Sequence, residues 1–564
     1  MLTAKAIGLL LPEIVLVATA VVLYLRGCFC RPAPSEPHDP LAEKNFSPDA
    51  SKVSQDVRSM QIALVGVVLA GWALARLDLP VEQPRTFFLD QFSLYVRWLS
   101  LTSVGLLVLL GSAGGGQKDR PEYLGTLLLS GAGAMAVAVA DNLVLLFVAL
   151  ELVSIPTYIL LCVGRRDVWG AEAAAKYFFL SLLASALLIY GMSFLYGASG
   201  SLQLKEIRSC LSGSPGLGSG LTGFVKLALA LLLAGLGFKI AAVPFHFYAP
   251  DVYEGTSYPN GALLSVMPKI AGFTALLRIL GETLPGGEEY VFGWRVVLAL
   301  AVLTMTVGNL VGLWQQQLRR LLAYSSIGQA GYILAGLAVG LGGADVGSRV
   351  DGLGAVLLYL AVYALATLGA FSVLETLRCA GQSVENLQQL RGLAQHRPWA
   401  AAWLSIFMFS LTGLPPLAGF WGKWAVVFGA IKTSLSLSTP SAQSFWFMGL
   451  AAITMLNAAV AAGYYLRVVA AVYFWPPTQT PSASGFSWPW IAAVICGLLC
   501  IGLGLFPWPI WNAAGHAVES LAFPESSKAS LTPAPILQEP FPIFSAPEWS
   551  CFQFCRALSY LETE

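Results

Sequence analysis

The stretch Gly235–Gly255, GLGFKIAAVPFHFYAPDVYEG, decides how the rest of the chain is read. Lys239 sits in an otherwise apolar run, and Pro244 follows five positions later. A charged side chain at membrane depth costs about 2.5–3.5 kcal/mol on the insertion scale, so an amine there is kept for a reason. A proline in a spanning helix removes a backbone donor, and is tolerated where polar groups or water satisfy the freed backbone. An amine beside an interrupted helix is the pattern expected of an ion path.

The chain around this stretch has 564 residues, 56% hydrophobic and 11% charged, where a soluble domain carries about 25% charged residues. This composition describes an all-α polytopic membrane protein. Its 56 glycines suit closely packed spanning helices. Apolar runs of about 20 residues, long enough to span, number about fourteen. They lie near 7–26, 59–77, 89–111, 122–140, 142–162, 171–197, 222–249, 260–282, 291–314, 318–342, 352–378, 399–431, 446–474 and 488–512. The fourth and fifth are parted only by Asp141 and Asn142. Residues 1–512 thus read as one transmembrane domain, with a polar, mobile loop at about 31–58 and a polar tail at 513–564. The tail's EWSCFQFCRALSYLE pattern suits the membrane surface or no fixed structure at all.

The net charge of +1 gives no electrostatic case for nucleic acid or acidic substrates. Nine cysteines form no CxxC pair, so neither zinc nor iron–sulfur spacing is present, and Cys496 and Cys500 read as apolar packing. The first apolar segment lacks a basic leader and a clear cleavage site, and reads as a retained helix. Lys and Arg gather on one side, Arg26, Arg58, Arg165, Arg319 and Arg320 among them, with fewer on the other, including Arg76, Lys205 and Lys432. The positive-inside rule makes the first side cytoplasmic and leaves both termini outside the cytoplasm.

Five ionisable residues stand inside apolar runs: Glu151, Lys176, Lys239, Lys269 and Lys423. Pro156 follows Glu151, Pro268 precedes Lys269, and Pro415 and Pro416 lie about two turns before Lys423. Glu172 and Lys176 also fit an ordinary i,i+4 pair at a helix mouth, and a lone lysine can snorkel to the interface. As a set, the five suit proton relay. Burial disfavours a charged amine and a nearby carboxylate restores it, so Glu151 against Lys239 or Lys176 makes a switch that depends on distance.

His246 lies at the break and is a possible relay group. Asp251 and Glu254 read as loop or helix-cap residues, and Glu13 and Glu375 as exposed near helix ends. Tyr324, Ser325, Ser326 and Gln329 form a polar strip that suits either a water path or bonds between helices. Interrupted helices at Pro244 and at Pro415/Pro416, each with one lysine, suggest an inverted repeat, judged from hydropathy and breaks alone.

These motifs resemble the antiporter-like membrane subunits of respiratory complex I (NADH-quinone oxidoreductase), most closely the subunit N family. The matching text is ELVSIPTYIL, EAAAKYFFLSLLASA, the opening stretch with DVYEG, MPKIAGF, LLAYSSIGQAGY and SLTGLPPLAGFWGKW, over about Gly8 to Trp511. DVYEG favours subunit N over subunits L and M. The resemblance implies fourteen helices with two inverted five-helix repeats, helices 4–8 and 9–13, of which helices 7 and 12 are broken. It also implies a pump pair of Glu151 and Lys239, with Lys176 beside it and Lys269 and Lys423 continuing a central axis.

NADH, FMN, iron–sulfur clusters and quinone are expected in partner subunits, with no cofactor or metal in this chain. Subunits M and K, the lateral helix of subunit L and the lipid bilayer are the expected partners, in a bacterial inner membrane. Gln329 departs from the pattern, since some relatives carry histidine there, and this leaves the middle of the relay more dependent on water. Competing readings are a subunit of a multi-subunit Na+/H+ antiporter, a subunit of a ferredoxin- or hydrogenase-linked complex, and a structural subunit whose charges only hold helices together.

Overall fold

A computed structural model of the chain describes residues 8–29, 50–77, 87–112, 120–165, 167–212, 219–283, 288–343, 346–379, 382–436, 442–477, 482–483 and 487–521. The terminal EWSCFQFCRALSYLE segment and most of the 31–58 loop lie outside these residues. Twelve helices are long and apolar enough to cross a membrane. In chain order the first six helices are α1 (Leu11–Phe29), α2 (Ala50–Ala75), α3 (Gln91–Gly111), α4 (Arg120–Val139), α5 (Leu143–Gly164) and α6 (Val168–Ser199). A short α7 (Leu204–Ser212) leads to α8 (Ser219–Lys239), which stops at the lysine, and a one-turn-and-a-half α9 (Ala249–Gly255) follows the break. Then come α10 (Tyr258–Glu282), α11 (Glu288–Gly312), α12 (Leu318–Gly342) and α13 (Val346–Thr376). After a short α14 (Leu393–His396), the second interrupted segment is α15 (Pro398–Thr412) and α16 (Ala418–Ser436). The chain closes with α17 (Ala442–Tyr473), α18 (Trp488–Leu505) and α19 (Trp508–Glu519).

Local chemistry sets the boundaries. Asp90 starts α3 through a capping box with Ser93, Asn142 accepts from the Leu145 amide to start α5, and Asp167 accepts from Gly170 to start α6. Asp141 and Asn142 are thus enough to part α4 from α5. Helices α10, α12 and α13 are buried along nearly their whole length, whereas α1, α2, α6 and α17 expose most of theirs. The apolar outer faces meet lipid or partners, and the polar residues turn inward. Residues 513–519, read from sequence as the start of the tail, are helical in α19, where Ala514, Ala517 and Val518 are buried. Ala50 already begins α2, so the mobile loop expected to reach residue 58 ends earlier.

One small antiparallel sheet interrupts the helical pattern. Its order is β2–β1–β3, with β1 Leu377–Cys379, β2 Gln382–Ser383 and β3 Ser482–Ala483, paired Arg378↔Ser383 and Leu377↔Ala483.

The bundle is pinned by buried ion pairs that the sequence reading passed over. Arg278 grips Asp90 with two bonds of 2.7 and 2.8 Å and lies between the rings of Phe88 and Phe92. Arg97 grips Glu13 at 2.5 and 2.7 Å. Glu13 and Glu375, expected at exposed helix ends, are 7% and 6% exposed, each closed by an arginine, Arg97 or Arg378. Satisfied charges of this kind can sit inside where unpaired ones cannot.

Candidate functional site

Lys239 is the last residue of α8, and the helix unwinds immediately after it. Its ammonium is 6% exposed, lies 3.2 Å from Glu151 Oε1 of α5, and donates to Ser154 Oγ at 2.6 Å. Ser185 of α6 donates to the same Glu151 oxygen at 2.6 Å. Three helices therefore meet on one acid–amine pair. The break itself is well bonded. The Ala242 amide reaches Gly237 O and the Ala241 amide reaches Phe238 O, while Val243 N donates to Thr304 and Tyr248 OH to Phe238 O.

Lys269 is on α10 directly after Pro268, 1% exposed, and donates to Ser326 Oγ of α12 at 2.5 Å. Ser326 contacts the hydroxyl of Tyr363 at 2.8 Å, and Tyr363 in turn donates to Ser265 O. No hydrogen bond among the described residues joins Lys239 directly to Lys269. The two are nevertheless neighbours, because Gly272 of α10 packs against Ile240, where an added Cβ would come within 2.6 Å of Ile240 Cγ2.

Lys423 of α16 is 8% exposed and donates to Leu411 O at 3.0 Å and Thr412 O at 2.7 Å. These are the last carbonyls of α15, the negative end of its helix dipole. Neither Lys269 nor Lys423 forms an ion pair with a carboxylate among the described residues. Each rests near an aromatic ring, Tyr363 at 5.8 Å and Tyr332 at 4.8 Å.

Gln329 joins the last two lysines. Its Nε2 donates to Leu411 O at 3.0 Å and to Tyr465 OH at 2.9 Å, and its Oε1 accepts from Tyr359 OH at 2.5 Å. A backbone carbonyl only accepts, so Leu411 fixes which way the amide faces. Tyr465 then receives a proton from Gln329 and must pass its own to Ser325 Oγ, 2.5 Å away. Both amide hydrogens are committed, and an amide holds no transferable proton at neutral pH. The side chain therefore orders the hydroxyls around it without carrying charge.

The polar strip of α12 thus splits. Ser325, Ser326 and Gln329 face the interior, and Tyr324 is half-buried outside this network. Tyr359, Tyr363 and Tyr465 were missed from sequence, because a tyrosine in an apolar helix reads as packing until its hydroxyl is placed.

Lys176 is a correction. Its side chain is 41% exposed and pairs with Glu172 at 2.7 Å and Asp251 at 3.0 Å, away from Glu151. Asp251 and Glu254, read as loop or cap residues, also hold Arg320 at 3.0 and 2.6 Å. Together these side chains tie α9 to α6 and α12 at one mouth of the bundle. His246 is in the break, half-buried, with its Nδ1 lacking a hydrogen-bond partner, and it contacts none of the four buried groups through a hydrogen bond.

A bundle whose two interrupted helices converge with others on a line of buried amines defines an antiporter-type membrane subunit. Residues 140–441 match the family described as NADH:quinone oxidoreductase/Mrp antiporter, TM. The chain belongs to the family of subunit N of NADH-quinone oxidoreductase: it is 34% identical to that subunit of Rhodospirillum rubrum over 82% of this chain and 91% of the relative. It is also similar to a chain of respiratory complex I from Thermus thermophilus, solved with bound aureothin, at 32% identity and TM-score 0.69, covering 90% of this chain and 99% of that one. A chain of the Mrp complex from Dietzia, 20% identical with TM-score 0.70 over 90% of this chain and 97% of its own, shares the fold.

Proposed function

We propose that this chain carries protons across a bacterial inner membrane as a subunit of NADH-quinone oxidoreductase, driven by redox chemistry in partner subunits. The observation that carries the reading is the Lys239–Glu151 contact of 3.2 Å at the unwound end of α8. While the carboxylate stays close, the amine holds its proton. Withdrawal of the carboxylate removes that support, and the proton passes on.

Lys269 and Lys423 lie further along the same interior. Charges that merely held helices together would be expected in pairs, as at Arg278–Asp90, and these two lysines have no carboxylate. Retaining them unpaired costs about 2.5–3.5 kcal/mol each. Between them, the Ser326, Ser325, Tyr465 and Gln329 groups supply hydroxyls and order, and water would bridge what Gln329 cannot carry.

The interrupted pairs α8/α9 and α15/α16, each counted as one crossing, bring the spans to fourteen, arranged as two inverted five-helix repeats with both termini outside the cytoplasm. Subunits M and K and the lateral helix of subunit L are the proposed neighbours. NADH, FMN, iron–sulfur clusters and quinone are assigned to other subunits. His246 and Lys176 take supporting places at the break and at the mouth.

The test is proton uptake per NADH oxidised by the complex reconstituted in vesicles. Lys239→Ala abolishes uptake while assembly persists. Wild-type uptake from an assembled Lys239→Ala complex defeats the reading.

A further inference from the structure

Away from the lysine line, α1 and α2 enclose a cleft of about 550 Å³ that opens to the outside of the bundle. Its walls are Val15 and Val22 of α1 and Val65 and Leu69 of α2. The floor is made by Thr19 against Gly66, where an added Cβ would come within 2.5 Å of the threonine side chain. Glycine there allows the two helices to approach and leaves the space above them open. Thr19 satisfies its own hydroxyl on Val15 O at 2.7 Å, so the floor presents no unmet polar group. At one end only, the cleft is lined by two cations, Arg26 from the last turn of α1 and Arg58 from the start of the span in α2.

The dimensions match a lipid. Arg26 to Val15 and Arg58 to Leu69 are each about 16 Å at 1.5 Å per helical residue. One leaflet of the hydrocarbon core is about 15 Å deep. An acyl chain entering beside the arginines therefore runs the length of the cleft and ends where its leaflet ends. The half-exposed Val22, Val65 and Leu69 offer it apolar wall, and two guanidiniums offer a phosphate diester forked, charge-assisted donors. A zwitterionic headgroup adds an ammonium beside two cations, so the charge pattern selects a net anionic one. Basic pockets between helices at a membrane face bind such headgroups.

We propose that the α1/α2 cleft is a binding site for an anionic glycerophospholipid, its acyl chain between Val22 and Val65 and its phosphate on Arg26 and Arg58. The site is independent of the proton path and of which leaflet it faces.

The test uses the purified intact complex in phosphatidylcholine nanodiscs, with phosphatidylglycerol carrying a diazirine in its acyl chain. After illumination, labelled peptides are mapped by mass spectrometry. Labelling concentrates on the peptides holding Val22 and Val65, and unlabelled phosphatidylglycerol displaces the probe where added phosphatidylcholine does not. The Arg26→Gln/Arg58→Gln double variant lowers that labelling about thirtyfold, the factor expected of two basic groups acting on an anionic lipid, while Arg26→Lys/Arg58→Lys keeps most of it. Equal displacement by both lipids, or unchanged labelling in the Gln variant, shows ordinary annular lipid and overturns the proposal. So does protection of the cleft by a peptide of another subunit. Should the Gln variant fail to assemble, the competition series on the wild-type complex decides alone.

Discussion

After Lys239 the chain leaves its helix through Ala241, at φ +58°; after Thr412 it leaves through Gly413, at φ +88°. Both exits close with the same pair of bonds. Ala242 N reaches Gly237 O and Ala241 N reaches Phe238 O at the first, and Leu414 N reaches Phe409 O and Gly413 N reaches Ser410 O at the second. This is the left-handed C-terminal cap that glycine usually supplies. The first break puts alanine there, at a cost of about 1–2 kcal/mol.

The lysines differ as well. Lys239 stands before its break and faces a carboxylate, whereas Lys423 stands after its break and reaches back to bare helix-end carbonyls. Similar backbones thus hold an amine in two electrostatic settings. One setting can be switched by moving a charge, and the other is fixed by the backbone.

That contrast is most sharply broken by removing each amine. Lys239→Ala strands the Glu151 charge and costs about 3–5 kcal/mol, whereas Lys423→Ala leaves only two carbonyls wanting, about 1–3 kcal/mol. Thermal dissociation of the purified complex should therefore fall further for the first. Adding Glu151→Gln to Lys239→Ala should restore the dissociation temperature without restoring proton uptake.

A smaller effect is expected from Gly413→Ala, at about 2 kcal/mol. The left-handed conformation penalises any Cβ, and this one would meet Lys423 Cδ at 2.8 Å. Proton uptake should drop with it, because the displaced side chain is Lys423 itself. The mirror change, Ala241→Gly, relieves strain but adds freedom to the unfolded chain, so stability should stay within about 1 kcal/mol of wild type by the same measurement. A Gly413→Ala complex as stable and active as wild type would remove the claim that the second break is built around glycine. Least of all should change with Lys176→Ala, whose part-exposed pairs contribute about 0.2–1 kcal/mol, read as uptake within about twofold of wild type.

Both breaks were legible in the sequence because proline marks them. Glu151, Lys239, Lys269 and Lys423 were legible because a charge is too costly to keep idle in an apolar run. Arg97 and Arg278 obey the same rule and were passed over beside the more obvious lysines. Lys176 was misplaced by treating its position in an apolar run as its depth in the bundle. Helix α6 has 32 residues, about 48 Å at 1.5 Å each, so it overruns a core about 30 Å thick. A residue in its first third can stand at the mouth. The tyrosine hydroxyls, the Leu411 carbonyl shared by Gln329 and Lys423, and the Asp251–Arg320 contact need the packing of remote helices. Side chains more than 60 residues apart in the chain leave no local pattern.

Helix α10 is tethered at both ends. Tyr258 bonds to the Val384 carbonyl and Asn260 to Leu160 O near its start, and Arg278 clamps Asp90 near its finish. It can neither slide along its axis nor turn about it without breaking a charged contact. Lys269, mounted midway, is in effect a fixed post. Any change in spacing between it and Lys239 has to be made by the unwound stretch on the other side, which places the working stroke of this half in the backbone after α8.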